Sequence, residues 1–367
     1  MFAERLERLR SVMDRSRLDA VALNPGPMLA YLTGLHFHLM ERPVTAVIPR
    51  EGTPGLVLPE LESEKARAVP FELQVFPYGD NPATWEGAFR SAGQAMRLAG
   101  SRIGVEPNRM RVLELRFLEA GLPGANFISI QEGLASLRMR KDAAEIQRMR
   151  RAVEIAQTAF LETLKHARAG MAEREFASEL TLQLLRAGSD SELPFAPIVA
   201  GGPNGANPHA LPGERVFTPG DLVVVDWGAT WQDYYSDLTR TLAVGDVDAE
   251  LARIARTVRE ANEAGRAKAG PGVPIGQVDQ AARAVIRDAG YGEYFFHRVG
   301  HGLGMEEHEE PYAFGENPLL LEPGMTFTVE PGIYLTGRAG VRIEDDVAIT
   351  PSGCDTLSDL PRELYRI

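Results

Sequence analysis

The sequence predicts an α/β domain over residues 1–131 followed by an α+β domain over residues 132–367. Three observations carry this expectation. A chain of 367 residues is long enough for two domains of ordinary size. Short apolar runs alternate with helical patterns through the first third, the signature of a sheet covered by helices. Past Lys141, helices and strands come in blocks instead of strict alternation.

The elements follow in order. Leu6, Leu9, Val12 and Met13 recur at helical spacing, and residues 20–23 form a short apolar strand stopped by the turn-like Asn24-Pro25-Gly26-Pro27. Further strands are expected at 44–48, 55–58, 73–78, 102–105 and 125–130, with helices near 61–67, 82–99 and 109–120. A boundary falls within 131–141. Beyond it Ile146, Met149, Val153, Ala156, Phe160 and Leu164 make one helical stripe. Asp142 stands as its N-cap and Glu145 as the partner three residues on, a variant capping box. Helices follow at 173–187, closed by Gly188, at 250–268, and at 275–289, closed by Gly290. Between and after them lie β-rich segments at 222–230, 234–243, 326–334 and 341–349. The order of two helices then a hairpin, twice over, hints at two similar halves.

Charge and composition narrow the function. Acidic residues outnumber basic ones 51 to 39, a formal charge of −12, and no Lys/Arg block relieves the balance. A nucleic-acid partner is therefore not expected. No run approaches the roughly 18 apolar residues that would cross a bilayer, so no membrane role is expected either. The N-terminal stretch is charged throughout and carries no apolar signal region. The single cysteine, Cys354, cannot pair within the chain, which fits a reducing cytoplasm.

Chemistry concentrates in the second domain. Asp226 interrupts the apolar run Leu222-Val223-Val224-Val225, and Asp237 follows in Tyr235-Ser236-Asp237-Leu238. A hairpin turning between Trp231 and Gln232 would set these acids directly opposite. A second hairpin centred on Gly337 would likewise set Glu330 opposite Glu344. Like charges facing each other on a sheet repel, and burial sharpens the conflict, so two such pairs in apolar strands invite cations. His301 adds a nitrogen from a segment where Gly300, Gly302 and Gly304 permit close backbone approach and unusual dihedrals. Four carboxylates and one imidazole suit a hard divalent ion, manganese most naturally, with cobalt or zinc as alternatives. One catalytic zinc needs only about three protein ligands, so the excess points to two ions.

These residues lie in VDWGATWQDYYSDLTRT, HRVGHGLGMEEHEEPY, TVEPGIYL and GVRIEDD. In them the chain resembles the pita-bread metallopeptidases of the prolidase and aminopeptidase P branch, and residues 1–130 resemble the creatinase-type N-terminal domain. The resemblance implies a dinuclear site. Asp226, Asp237 and Glu344 would hold one ion, and Asp237, His301, Glu330 and Glu344 the other. It assigns proton transfer to Glu330, oxyanion stabilisation to His209 or His308, and substrate contacts to His297, Tyr334 and Arg342. It further implies hydrolysis of the Xaa-Pro bond in dipeptides or short peptides, with a dipeptidase favoured over aminopeptidase P, and a homodimer. The alternative on the same scaffold is a hydrolase or lyase of small solutes. One departure concerns the substrate carboxylate: Tyr312 stands where compact archaeal-type prolidases carry an arginine. Arg42 and Arg338 are the replacements to examine.

Overall fold

The structure, a computed structural model, describes residues 2–67 and 69–367. The chain forms two compact units, one ending at Leu137 and the other spanning Arg138–Ile367. The division lies beyond residue 131 because the helix Gln131–Arg138 buries Leu134 and Leu137 with the first unit. The Leu137 carbonyl also accepts the Tyr31 hydroxyl at 2.9 Å.

The first unit is built on a six-stranded mixed sheet. Its central strand Ala20–Leu23 pairs antiparallel with Thr45–Pro49 and parallel with Arg102–Val105. Two helices were not expected, the one at Gln131–Arg138 and another after the first strand. The segment after Asn24-Pro25-Gly26 continues as Pro27–Thr33, with Pro27 in the first turn and Gly34 closing it at φ 74°. Proline lacks the N–H that a first turn leaves unbonded anyway, so the apparent turn signal is a helix start.

In the second unit the helix Ala143–Leu164 begins with the expected capping box. The Glu145 N–H donates to Asp142 at 2.9 Å, and the Asp142 N–H donates to Glu145 at 2.7 Å. The helix Glu173–Ala187 ends at Gly188, which adopts φ 104°. One sheet orders its four strands Tyr365–Arg366, Leu238–Ala243, Leu222–Trp227, Ile198–Gly201. Trp227 ties this sheet to the first helix: its ring stacks on Phe160 at 4.3 Å and its Nε1–H donates to the Ala156 carbonyl at 2.9 Å. The second sheet orders its five strands Glu309–Ala313, Gly300–Gly302, Thr326–Val329, Asp345–Thr350, Gly353–Thr356. Ile254, Val258 and Ala261 of the helix Ala249–Lys268 share a core with Val278 and Ala282 of the helix Gly276–Asp288 and with Phe327, Val329 and Val347 of this sheet.

The two hairpins differ in how they meet expectation. In the first, Asp226 pairs with Thr239 and Trp231 pairs with Tyr234, so the turn lies at Gln232-Asp233. Both turn residues take positive φ, 50° and 70°, as a two-residue primed turn requires. Asp237 is therefore diagonal to Asp226, not opposite it. In the second, Gly332 pairs with Arg342 and Leu335 with Ala339, centred on Gly337 as expected. The same register resumes below, where Val329 pairs with Asp345.

The strand at 198–201 is a four-residue apolar run too short to stand out, and those at 300–302 and 309–313 escape apolar-pattern reading because glycine, histidine and acidic residues occupy most of them. The glycines serve close approach rather than unusual dihedrals, since none of Gly300, Gly302 and Gly304 has positive φ. A Cβ on Gly300 would stand 1.8 Å from the Thr328 carbonyl oxygen, closer than any contact allows. Gly300→Ala should force the two strands apart and cost about 1–3 kcal/mol, the usual penalty of overpacking. Thermal denaturation should show a Tm several degrees lower, whereas an unchanged Tm would mean the strands are not so closely held.

Candidate metal centre

The acids gather where the long ribbon is interrupted. Pro331 supplies no N–H to a ladder, and there the chain leaves Thr326–Val329 and its sheet for the separate ribbon of Gly332–Leu335 with Ala339–Arg342. Glu330 and Glu344 occupy the two sides of this break. From the other sheet, Asp226 is the penultimate residue of Leu222–Trp227 and Asp237 precedes Leu238–Ala243. Thr239 joins the sheets: it pairs with Asp226 on one side and bridges to Glu344 on the other.

Four of the five expected ligands, Asp226, Asp237, His301 and Glu344, are buried, and Glu330 is partly so. Ligand atoms of Asp237, His301 and Glu344 all lie within 4.8 Å of one another. The His301 Nε2 stands 3.4 Å from Glu330 and 3.7 Å from Asp237. Its Nδ1 faces the Gly302 carbonyl at 3.1 Å, which places the proton there and turns the Nε2 lone pair toward the acids. Burial and the neighbouring His308 ring, 4.0 Å away, push the His301 pKa well below its ordinary value.

The carboxylates are in conflict. Burial first, then the Glu344 and Asp226 charges, holds Asp237 well above the carboxylate range. Burial and the Glu330 charge do the same to Glu344, against the Thr239 hydroxyl donating to it at 2.6 Å. Glu330 is pushed up to about 7, chiefly by burial, with Arg342 opposing. Asp226 Oδ1 and Asp237 Oδ1 are buried with no hydrogen-bond partner. Such orphaned acceptors are rare and costly. An imidazole with a free lone pair, two orphaned carboxylate oxygens and two further acids match the donor set of hard divalent cations.

Around this group runs a chain of polar contacts. Arg342 is buried and donates to Asp226 at 2.5 Å, to the Thr239 hydroxyl at 3.1 Å and to the Tyr334 hydroxyl at 3.1 Å. Tyr334 in turn stands 3.0 Å from His297 Nε2, and His297 Nδ1 faces the Arg298 carbonyl at 2.7 Å. Burial and Arg342 lower the His297 pKa to about 4, so it stays neutral and accepts the Tyr334 proton. His308 and His209 are exposed. The two imidazoles and His297 lie close enough that a charge on His209 disfavours protonation of the others.

Several participants were not singled out from the sequence. Thr239 is one, although it lies two residues from Asp237 and so on the same strand face. Glu173 is another. Fully buried, it accepts from the Gly201 N–H at 2.8 Å, the Asn204 amide at 3.0 Å and the Gly213 N–H at 3.1 Å, holding both ends of the loop that carries His209. Beneath Glu344, Arg240 donates to its carbonyl and pairs with the buried Asp345 at 2.8 Å. Phe295 is a core residue, whereas Phe296 is exposed and stacks near Tyr334 at 5.4 Å. Arg42 pairs with Asp80 at 2.7 Å, and Arg338 with Asp248 at 2.9 Å and with Glu250, so both guanidinium groups are already engaged.

Comparison with known proteins identifies the family. Residues 147–351 match the family model "Metallopeptidase family M24", and residues 5–140 match "Creatinase/Prolidase N-terminal domain". The chain belongs to the M24 metallopeptidases, whose pita-bread domain here follows a creatinase-type domain. It is 33% identical over 360 residues to an Xaa-Pro dipeptidase of Lactobacillus delbrueckii subsp. lactis, covering 98% of each chain. Its fold is similar to that of a prolidase from Thermococcus sibiricus, at TM-score 0.94 and 34% identity, covering 100% and 99% of the two chains. An X-Pro aminopeptidase from Thermotoga maritima is similar at TM-score 0.86 and 32% identity, covering 99% of each. Membership implies metal dependence. No helix among the described residues is long and apolar enough to cross a membrane.

The electrostatics predict an unusual stability profile for metal-free protein. Glu330 ordinarily titrates near 4.5 but near 7 when folded. Between those values the folded state keeps a proton that the unfolded chain has released, so stability falls as pH rises through the window. Denaturant unfolding of metal-stripped protein should show this decline from pH 4.5 to 7, and added manganese should abolish it. A rise in stability across that range would contradict the buried-acid assignment.

Proposed function

We propose that this protein is a dinuclear metal-dependent Xaa-Pro dipeptidase. The observation that carries the reading is the buried cluster of Asp237, His301 and Glu344, with Glu330 and Asp226 beside it. Full-length similarity to an Xaa-Pro dipeptidase supports the substrate class. In this reading Asp226, Asp237 and Glu344 would hold one ion, and Asp237, His301, Glu330 and Glu344 would hold the other. Two divalent cations bound here, manganese being the best match, would polarise the scissile carbonyl and activate a water near neutral pH.

The chain's own groups do the rest. Glu330, titrating near 7 even without an ion, takes the proton from the attacking water and delivers it to the departing imino nitrogen. A tertiary Xaa-Pro amide has no N–H, so this delivered proton is what makes the ring nitrogen a leaving amine. His308 and His209 project imidazole N–H donors toward the developing oxyanion. The sequence from His297 through Tyr334 to Arg342 keeps Arg342 fixed on Asp226, so the Asp226 carboxylate holds one orientation. Exposed Phe296 beside Tyr334 offers an apolar face to the proline ring.

Metal-stripped protein reconstituted with manganese, cobalt or zinc should be assayed on Ala-Pro and Ala-Pro-Ala. The expected result is hydrolysis of Ala-Pro, fastest with manganese, with the tripeptide spared. Cleavage of the tripeptide alone would make the protein an aminopeptidase P. Failure on both with metal bound would favour a small-solute enzyme on this scaffold.

A further inference from the structure

His308 stands on a short loop, residues 303–308, that joins the strands Gly300–Gly302 and Glu309–Ala313. Its ring centroid lies 4.0 Å from that of His301, so a displacement of the loop moves this imidazole relative to the cluster. The loop ends on Glu309, which pairs with Gly302 across the two strands. Glu309 is buried and meets two buried cations. Lys141 Nζ donates to its Oε1 at 2.6 Å, and Arg138 Nη1 stands 3.6 Å from its Oε2. Arg138 also pairs with Glu306, inside the loop. Two cations from one short segment thus hold the loop at its middle and at its end.

The surrounding chain is cut to fit this pair. A Cβ on Gly304 would stand 2.7 Å from both Glu309 Oε1 and Lys141 Cε, so the glycine is where the ion pair packs against the loop. On the other side, the Lys141 N–H donates to the Gly324 carbonyl at 2.8 Å, and a Cβ on Gly324 would stand 2.6 Å from the Lys141 carbonyl oxygen. The Gly304 carbonyl accepts the Tyr235 N–H at 2.8 Å, two residues before Asp237. The loop therefore borders the segment that carries a metal ligand. Taking Lys141, Arg138 and Glu309 out of water is costly, and apolar side chains of similar volume commonly serve stability as well. What the lysine–carboxylate pair adds is direction, because its charged hydrogen bond is strong and satisfied in one geometry.

We propose that Lys141 and Glu309 are positioning residues, an ionic lock that holds the 303–308 loop where His308 meets the developing oxyanion. The inference rests on the reading of His308 as an oxyanion donor. The oxyanion exists only in the transition state, so the lock should be felt in kcat and not in KM.

The test places Glu309→Gln in wild-type and His308→Ala backgrounds, manganese-loaded, on whichever of Ala-Pro and Ala-Pro-Ala the wild type cleaves faster. Lys141→Met/Glu309→Met is the second variant should glutamine disturb folding, because removing both charges strands neither in the interior. In the wild-type background kcat should fall about 10- to 100-fold, the cost of a catalytic group displaced by about 1 Å, with KM little changed. In the His308→Ala background the same substitution should add almost nothing, as for residues that act as one unit. An unchanged kcat, or an equal loss in both backgrounds, would overturn the proposal. A His308→Ala enzyme as fast as wild type would overturn the oxyanion reading beneath it, and the proposal with it. Hydrogen exchange reads the loop without substrate: peptides covering 303–308 should exchange about tenfold faster in either variant, the worth of a charged hydrogen bond. Unchanged exchange there would overturn the lock even in a protein that cleaves neither peptide, a failure that would otherwise fall on the peptidase reading.

Discussion

Four carboxylates and one imidazole share a space from which water is largely excluded, and among the described residues the only guanidinium hydrogen-bonded to any of the four carboxylate groups is that of Arg342. Ionised together they would repel, and protonated they leave buried acceptors unmatched. Most of the second unit's architecture can be understood from that constraint. Two sheets and a ribbon end where the acids begin. Thr239 donates to Glu344 and Arg342 to Asp226, whereas Asp226 Oδ1 and Asp237 Oδ1 are left buried with no hydrogen-bond partner. A pair of cations resolves the repulsion and turns a destabilising arrangement into a catalytic one.

The support for this arrangement extends well behind the ligands. Trp227 fixes the Asp226 strand against a capped helix, and Arg240 and Asp345 form a fully buried pair beneath Glu344. The Asp346 carboxylate accepts the Asp237 N–H at 3.0 Å. Glu173 performs the same service for the loop bearing His209. Positions so determined need little rearrangement when a cation or substrate arrives, which is the condition for electrostatic catalysis to be effective.

Much of this was legible in the residues themselves. The hairpin about Gly337 could be read because a glycine-flanked turn with φ 73° leaves one natural centre. The hairpin near residue 232 could not, because its turn uses Gln232 and Asp233, residues that carry little primed-turn signal. The error moved Asp226's expected partner by two positions, from Thr239 to Asp237. An even shift preserves the face of a strand, so both acids still point to the same side and the conclusion about cations survived the wrong register. What was not legible depended on distant contacts. Glu173 looks like an ordinary acid in a helix first turn, and Lys141 looks like a solvated neighbour of the Asp142 cap. Nothing local marks the loop that one holds or the buried acid that the other meets.

The central claim is that the shared acids bind two ions as a unit. Metal-stripped wild type and Asp237→Asn should be titrated with manganese by calorimetry, with the bound ion counted by elemental analysis. The account predicts two ions per chain in the wild type and loss of both in the variant. A wild type that takes up none, or an Asp237→Asn protein that retains two, would contradict it.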